Sequence, residues 1–209
     1  SIPVAECFIL RLNEEDFYVV ERFDRIVENG VTRRLHQEDF CQILNIPPKL
    51  KYQEDGGPGI EECLEKMSLM HMPARDRMNF IRLVIFNFLI GNCDAHAKNY
   101  AVLYHAGKPM FAPAYDLLST MVYDNMNKCF AMNIGGETRM GQMSQTHFST
   151  MALKCSFSPK MILNELQELA ALLPEKANAL SDELNALHPS PVYGRIVWEI
   201  RRLCRQILG

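Results

Sequence analysis

Gly91-Asn92-Cys93-Asp94-Ala95-His96-Ala97-Lys98-Asn99 is the stretch on which the reading of this 209-residue chain turns. It is polar, and it follows directly on the longest apolar patch of the sequence, Leu83 to Ile90, which only Asn87 interrupts. Phe80, Leu83, Val84 and Asn87 follow the i, i+3, i+4, i+7 spacing of a helix, so one helix is expected from about Ala74 to Ile90. A helix that is apolar on most sides belongs at the centre of a lobe. Polar residues immediately after it emerge where the chain leaves the core.

Downstream, Tyr100 to Tyr104 and Met110 to Pro113 read as a short hairpin around Ala106-Gly107-Lys108-Pro109, and Asp116 follows it. Upstream, helices are expected at 60–70 and, stopped by Pro47-Pro48, at 37–44. Asp55-Gly56-Gly57-Pro58-Gly59 breaks the chain between them. Val4 to Leu10 and Phe17 to Val20 have strand propensity, with a turn at Asn13 to Asp16. Two strands alone are marginal, so this hairpin must lean on something else. Residues 121–141 read as irregular around a Gly135-Gly136 turn. The tail reads as helices at 144–154, 158–172, 175–187 and 192–207, punctuated by Pro159, Pro174 and Pro189/Pro191. The fold class is therefore mainly α with a small β component.

Composition excludes several classes. With 48% hydrophobic and 22% charged residues the chain is globular rather than disordered. A net charge of −3 gives no general nucleic-acid field. The neutral run Gly141 to Thr146 offers no DNA contact, so nucleic acid is expected only through a partner. No apolar run reaches the roughly 18 residues a membrane span needs. The seven cysteines are odd in number and form no CxxC pair, which argues against a disulfide framework or a zinc cluster. Reduced thiols in a cytoplasmic protein are the expectation.

Asp94, Asn99 five residues later, and Asp116 beyond a short hairpin carry the chemistry. Phosphoryl transfer to a hydroxyl needs positioning more than covalent chemistry. One carboxylate must take or orient the acceptor's proton, which suits Asp94. Magnesium takes hard oxygen ligands from carboxylate, amide and phosphate, which suits Asn99 and Asp116. Protein kinases use this order.

The catalytic stretch from Gly91 to Tyr100 resembles that of HipA-type serine/threonine kinases, and Ala112-Pro113-Ala114-Tyr115-Asp116-Leu117-Leu118-Ser119 resembles their metal-binding segment. Val20-Glu21-Arg22-Phe23-Asp24-Arg25 is similar to their hinge. Leu35-His36-Gln37-Glu38-Asp39-Phe40-Cys41 and Lys51-Tyr52-Gln53-Glu54-Asp55-Gly56-Gly57-Pro58-Gly59-Ile60 also resemble the family, in the family's order. The resemblance implies a kinase-like C-lobe at 25–209, preceded at 1–24 by the last strands of an N-lobe and the hinge. It implies Asp94 as catalytic base, Asn99 and Asp116 as magnesium ligands, and His96 and Lys98 near the ATP phosphates. Backbone groups of Glu21, Arg22 and Phe23 would meet the adenine, with Tyr115 beside the nucleotide. It further implies a protein substrate of the aminoacyl-tRNA synthetase class, a DNA-binding antitoxin as partner, and a role in bacterial persistence.

The chain also departs from the kinase pattern. It holds no glycine-rich phosphate loop and no strand lysine; in the family these precede the hinge, so an N-terminal lobe upstream of Ser1 is expected. Losing one preorganised charge-stabilising group typically costs about 100- to 1000-fold in rate. The isolated chain is accordingly expected to have little or no kinase activity. Two other readings stand beside this one. Asp94-Ala95-His96-Ala97-Lys98-Asn99 also satisfies the Asp-x-His-x-x-Asn of small-molecule phosphotransferases of the aminoglycoside and choline kinase type. A stand-alone helical lobe could instead bind a partner, with its N-terminal hairpin awaiting strand addition.

Overall fold

The structure, a computed structural model, describes residues 2–209; Ser1, where the first strand-bearing unit is expected to begin, lies outside them. Two hairpins open the chain. β1 (Cys7–Leu12) and β2 (Glu15–Val20) pair antiparallel, Cys7 opposite Val20 and Leu12 opposite Glu15. Asn13 and Glu14 close the turn with φ of 50° and 67°, as a two-residue type I′ turn requires. β3 (Arg25–Glu28) and β4 (Val31–Arg34) form a second hairpin, not anticipated above, around Asn29 and Gly30 with φ of 51° and 76°. Asn-Gly between apolar residues is the strongest short-range hairpin signal, so this element was legible. The first hairpin leans on the domain through a parallel bridge from Val4 to Ala114. Ala5 N–H donates to the Ala114 carbonyl at 2.9 Å, and Ala114 N–H to the Pro3 carbonyl at 2.8 Å.

The helix expected at 37–44 is half strand. β5 (His36–Asp39) pairs with β6 (Ala101–His105), which pairs with β7 (Lys108–Phe111). Only Phe40–Ile43 is helical, as α1. Asp39 decides the boundary: its carboxylate accepts the Gln42 N–H at 2.9 Å while Gln42 Oε1 accepts the Asp39 N–H at 2.9 Å. That reciprocal cap starts the helix at Phe40 and leaves the preceding residues to the sheet.

α2 (Ile60–Leu69) and α3 (Ala74–Leu89) lie where expected. Phe80, Ile81, Leu83, Val84, Ile85, Phe88 and Leu89 of α3 are all buried. Each such side chain contributes about 1.5–3 kcal/mol, which makes α3 the axis of the core. The segment expected to be irregular contains β8 (Cys129–Ile134) and β9 (Glu137–Arg139), paired around the Gly135–Gly136 turn.

α4 (Gln145–Lys154), α5 (Pro159–Leu187) and α6 (Pro191–Leu208) complete the chain. The two helices expected on either side of Pro174 are one helix of 29 residues. An interior proline costs about 3 kcal/mol, but Leu163, Leu169, Leu173 and Ala177 pack against the core on both sides of it. Tertiary burial therefore overrides the local break. Arg82 of α3 grips the Glu165 carboxylate of α5 with both ends of its guanidinium, at 2.8 and 2.5 Å. Among the described residues no helix is long and apolar enough to cross a membrane.

Candidate active site

The chain leaves α3 through Gly91, whose φ of 74° suits glycine. Buried amides then carry the loop. Asn87, the polar break in α3, donates to the Tyr100 hydroxyl at 3.3 Å and accepts from Asn92 Nδ2 at 3.0 Å. Asn92 Nδ2 also donates to the Asp116 carbonyl at 3.2 Å, and Asn92 Oδ1 accepts the Asp94 N–H at 3.2 Å. Cys93 N–H donates to Thr120 Oγ1 at 2.7 Å. One network thus ties both acidic segments to the central helix, and buried networks of this kind hold their members rigidly when fully bonded.

Within that frame the expected residues converge. Asn99 Nδ2 donates to Asp116 Oδ2 at 2.5 Å, and Asn99 Oδ1 accepts the His96 N–H at 3.1 Å. Asp116 adopts a φ of 56°, a left-handed conformation that typically costs a non-glycine residue about 1–3 kcal/mol and clusters at functional sites. His96 Nε2 lies 4.0 Å from Asp94 Oδ1. The His96 ring is buried and its Nδ1 has no hydrogen-bond partner. Burial, with Lys51 beside it, pushes His96 below the ordinary histidine range, against the pull of Asp94. Lys98 is half-buried, and its carbonyl accepts the Tyr115 hydroxyl at 2.6 Å. Burial raises the Tyr115 phenol well above its ordinary range, so it stays a donor.

The hinge residues meet this cluster across a cavity of about 360 Å³, lined by Glu21, Arg22, Phe23, Gln37, Tyr115 and Asp116 among others. The Phe23 and Tyr115 rings stand 5.7 Å apart. Glu21 N–H donates to the Glu6 carbonyl at 2.8 Å, and the Arg22 carbonyl accepts from Arg25 N–H at 3.2 Å. The Glu21 carbonyl and Phe23 N–H have no backbone partner among the described residues. The Arg22 side chain turns elsewhere: its Nε and Nη2 donate to the buried Asp24 carboxylate at 2.8 and 2.7 Å.

Asp94 lines a separate cavity of about 500 Å³, whose walls include Tyr52, Glu54, Cys93, Phe130 and Asn133. Tyr52 is a site residue to which no role is assigned from sequence. Its hydroxyl donates to Asp94 Oδ1 at 2.6 Å, across 42 residues of chain. Its ring meets His96 edge-on at 5.2 Å, and Lys51 Nζ sits 4.9 Å from the Tyr52 ring centre. Burial first, then the bond to Asp94, raises the Tyr52 phenol to about 12, which keeps its proton on.

Asn99 turns its amide nitrogen to the Asp116 carboxylate and its oxygen to the His96 N–H; with the amide turned over, its oxygen and that carboxylate would be hard-oxygen ligands of the kind Mg2+ takes alongside phosphates. Among the described residues no three His, Cys, Asp or Glu side chains gather as an all-protein metal cage. All seven cysteines are free thiols, and burial raises Cys63, Cys93, Cys155 and Cys204 away from thiolate reactivity.

Known proteins share the sequence and fold of this chain. The HipA-like C-terminal domain model matches residues 1–177. Y4mE of Sinorhizobium fredii, named as a candidate kinase, is 35% identical over 178 residues, 84% of this chain and 42% of the relative. The serine/threonine-protein kinase toxin HipA of Shewanella oneidensis is 26% identical over 188 residues, 84% of this chain and 43% of the relative. The chain thus spans less than half the length of either. Among solved structures, Shewanella oneidensis HipA, in a complex with HipB and operator DNA, superposes with a TM-score of 0.86 at 24% identity, covering 100% of this chain and 52% of that one. The Helicobacter pylori proinflammatory kinase CtkA gives 0.57 at 12% identity, covering 99% and 78%. The fold is a kinase-like C-lobe, and the chain belongs to the HipA-like C-terminal domain family.

Proposed function

We propose that this chain supplies the catalytic base and the cation-binding residues of an ATP-dependent kinase that phosphorylates protein serine or threonine. The observation that supports the reading is the contact of Asn99 Nδ2 with Asp116 Oδ2 at 2.5 Å, on the loop that also carries Asp94. Asp116 lines the cavity of the hinge residues, while Asp94 lines a separate one that could admit an acceptor. In the reaction the acceptor oxygen forms a bond to the γ-phosphorus, the bond to the β–γ bridging oxygen breaks, and ADP leaves. The hydroxyl proton passes to the Asp94 carboxylate. Asn99 and Asp116 would hold Mg2+, which when bound neutralises charge on the phosphates. The Glu21 carbonyl and Phe23 N–H take the adenine edge and Tyr115 flanks the nucleotide. Lys98 adds positive charge near the phosphates, and His96, neutral and buried, packs beneath Asp94.

The glycine-rich loop and its lysine are not among these 209 residues, and the matched part is less than half of the Y4mE and HipA relatives. The phosphate clamp is therefore assigned to an ATP-binding lobe outside the residues described, and the 209 residues alone would turn over little. By family, the intact protein would act in the cytoplasm on a protein of the aminoacyl-tRNA synthetase class and pair with a DNA-binding antitoxin. Any nucleic-acid contact would then be made through that partner. The test is transfer of the labelled γ-phosphate of ATP to protein, peptide and small-alcohol acceptors by the full-length gene product. Protein acceptors should be labelled on serine or threonine, and Asp94→Asn should lower transfer by about 1000-fold or more. Labelling of small alcohols alone would replace this reading with a small-molecule phosphotransferase. Transfer by Asp94→Asn at the wild-type rate would end it.

A further inference from the structure

The segment Lys51 to Ile60 reads from sequence only as a chain breaker with a family likeness, and the reaction outlined above makes no use of it. Its packing is nevertheless tightly specified. The Lys51 carbonyl accepts the Ala97 N–H of the catalytic loop at 3.3 Å, and the Tyr52 carbonyl accepts the Gly57 N–H at 2.9 Å. A Cβ on Gly57 would fall 2.2 Å from the Leu50 carbonyl oxygen and 2.7 Å from that of Tyr52. Contacts that short do not occur, so this turn closes only over glycine. Gln53 Oε1 accepts the Asn133 N–H of β8 at 2.7 Å, and a Cβ on Gly59 would meet Gln53 Nε2 at 2.5 Å. One obligatory glycine and two cross-links to other elements therefore hold one tyrosine in place.

The product of that scaffold is the hydroxyl of Tyr52 at 2.6 Å from Asp94 Oδ1. Asp94 Oδ2 has no hydrogen-bond partner among the described residues, and both side chains line the acceptor-side cavity. A carboxylate held through one oxygen is restricted in rotation, which favours one direction for the other. Orientation of this kind is worth a large part of a transfer rate, because a misplacement of about 1 Å can cost about 100-fold. We infer that Tyr52 is a positioning residue of phosphoryl transfer, holding Asp94 by one oxygen so that the other receives the acceptor hydroxyl's proton. The inference rests on the assignment of Asp94 as the base.

The experiment compares wild type, Tyr52→Phe, Asp94→Asn and the double variant in the full-length protein, measuring γ-phosphate transfer, Mg·ADP affinity and thermal unfolding. Phenylalanine keeps the ring against His96 and Lys51 and removes only the donor. Tyr52→Phe should lower kcat by about 10- to 100-fold, with KM for ATP and Kd for Mg·ADP within about twofold of wild type. In the Asp94→Asn background the same change should lower residual transfer by less than about twofold, since a group acting through Asp94 has nothing left to position. A kcat within about threefold of wild type overturns the inference. So does a fall in kcat accompanied by equal losses of nucleotide affinity and melting temperature, the mark of a purely structural tyrosine. Full activity in Asp94→Asn, or none in wild type, removes the underlying reading instead, and this inference with it.

Discussion

Asp24→Asn removes one negative charge from a cluster of three arginines, and its effect can be worked out in advance. The Asp24 carboxylate is buried at the junction of the hinge and the second hairpin. Arg22 grips both its oxygens, Arg25 Nη1 lies 2.6 Å from Oδ2, and Arg34 Nε lies 3.6 Å from it. The Arg22 hydrogen bonds, helped by Arg25 and opposed by burial, lower its pKa from 3.8 to about 2. Because the folded value lies below the unfolded one, the stabilisation is fully present above about pH 4 and is lost as pH falls through about 2. The gap corresponds to roughly 2.5 kcal/mol at pH 7 and about half that at pH 3. Asparagine keeps the shape and loses the charge. With a urea m-value of about 2–3 kcal/mol/M, its unfolding midpoint should fall by about 1 M at pH 7, and by roughly half as much at pH 3. Equal midpoints at pH 7, or a difference that does not shrink on acidification, would refute the assignment of this stability to the carboxylate's charge.

Gly135→Ala should be strongly destabilising, by about 3 kcal/mol or more, because the added Cβ would lie 2.0 Å from the His147 carbonyl oxygen at a φ of 60°; Gly136→Ala, with open space around it, should lose only the smaller left-handed strain, and chemical denaturation of both variants checks the contrast. Asn92→Ala leaves Asn87 Oδ1, the Asp94 N–H and the Asp116 backbone carbonyl without their side-chain partner. It should lose about 2–4 kcal/mol, and phosphoryl transfer should fall with it, since both acidic segments hang on that one amide. A melting temperature unchanged in Asn92→Ala would contradict the network.

The contact of Asn99 with Asp116, beside Asp94 on its loop, was legible in the sequence because its logic is local. Asp94 and Asn99 share one loop, and Asp116 follows a hairpin whose strands are marked by alternation and a turn. The apolar stripe of α3 was legible for the same reason. What escaped depends on contacts distant in the chain. Nothing near Tyr52 ties it to a carboxylate 42 residues away, and the glycines at 57 and 59 look like breakers until the carbonyls and the Gln53 side chain beside them are seen. Pro174 carries a true local signal to stop, which burial of its neighbours overrules. Asp39 shows how fine the balance is: one capping carboxylate divides a stretch of helical pattern into strand and helix. The Asn29-Gly30 turn is different, since its signal is local and strong enough to mark the second hairpin from sequence alone.

The central claim is that Asn99 and Asp116 jointly hold the divalent cation that meets the phosphates. Manganese, a paramagnetic substitute for magnesium, reports this directly when titrated into the full-length protein with a non-hydrolysable ATP analogue and followed by electron paramagnetic resonance. Asn99→Ala and Asp116→Ala should each weaken manganese binding by about tenfold or more while the metal-free nucleotide still binds. Manganese affinity unchanged in both variants would contradict the account.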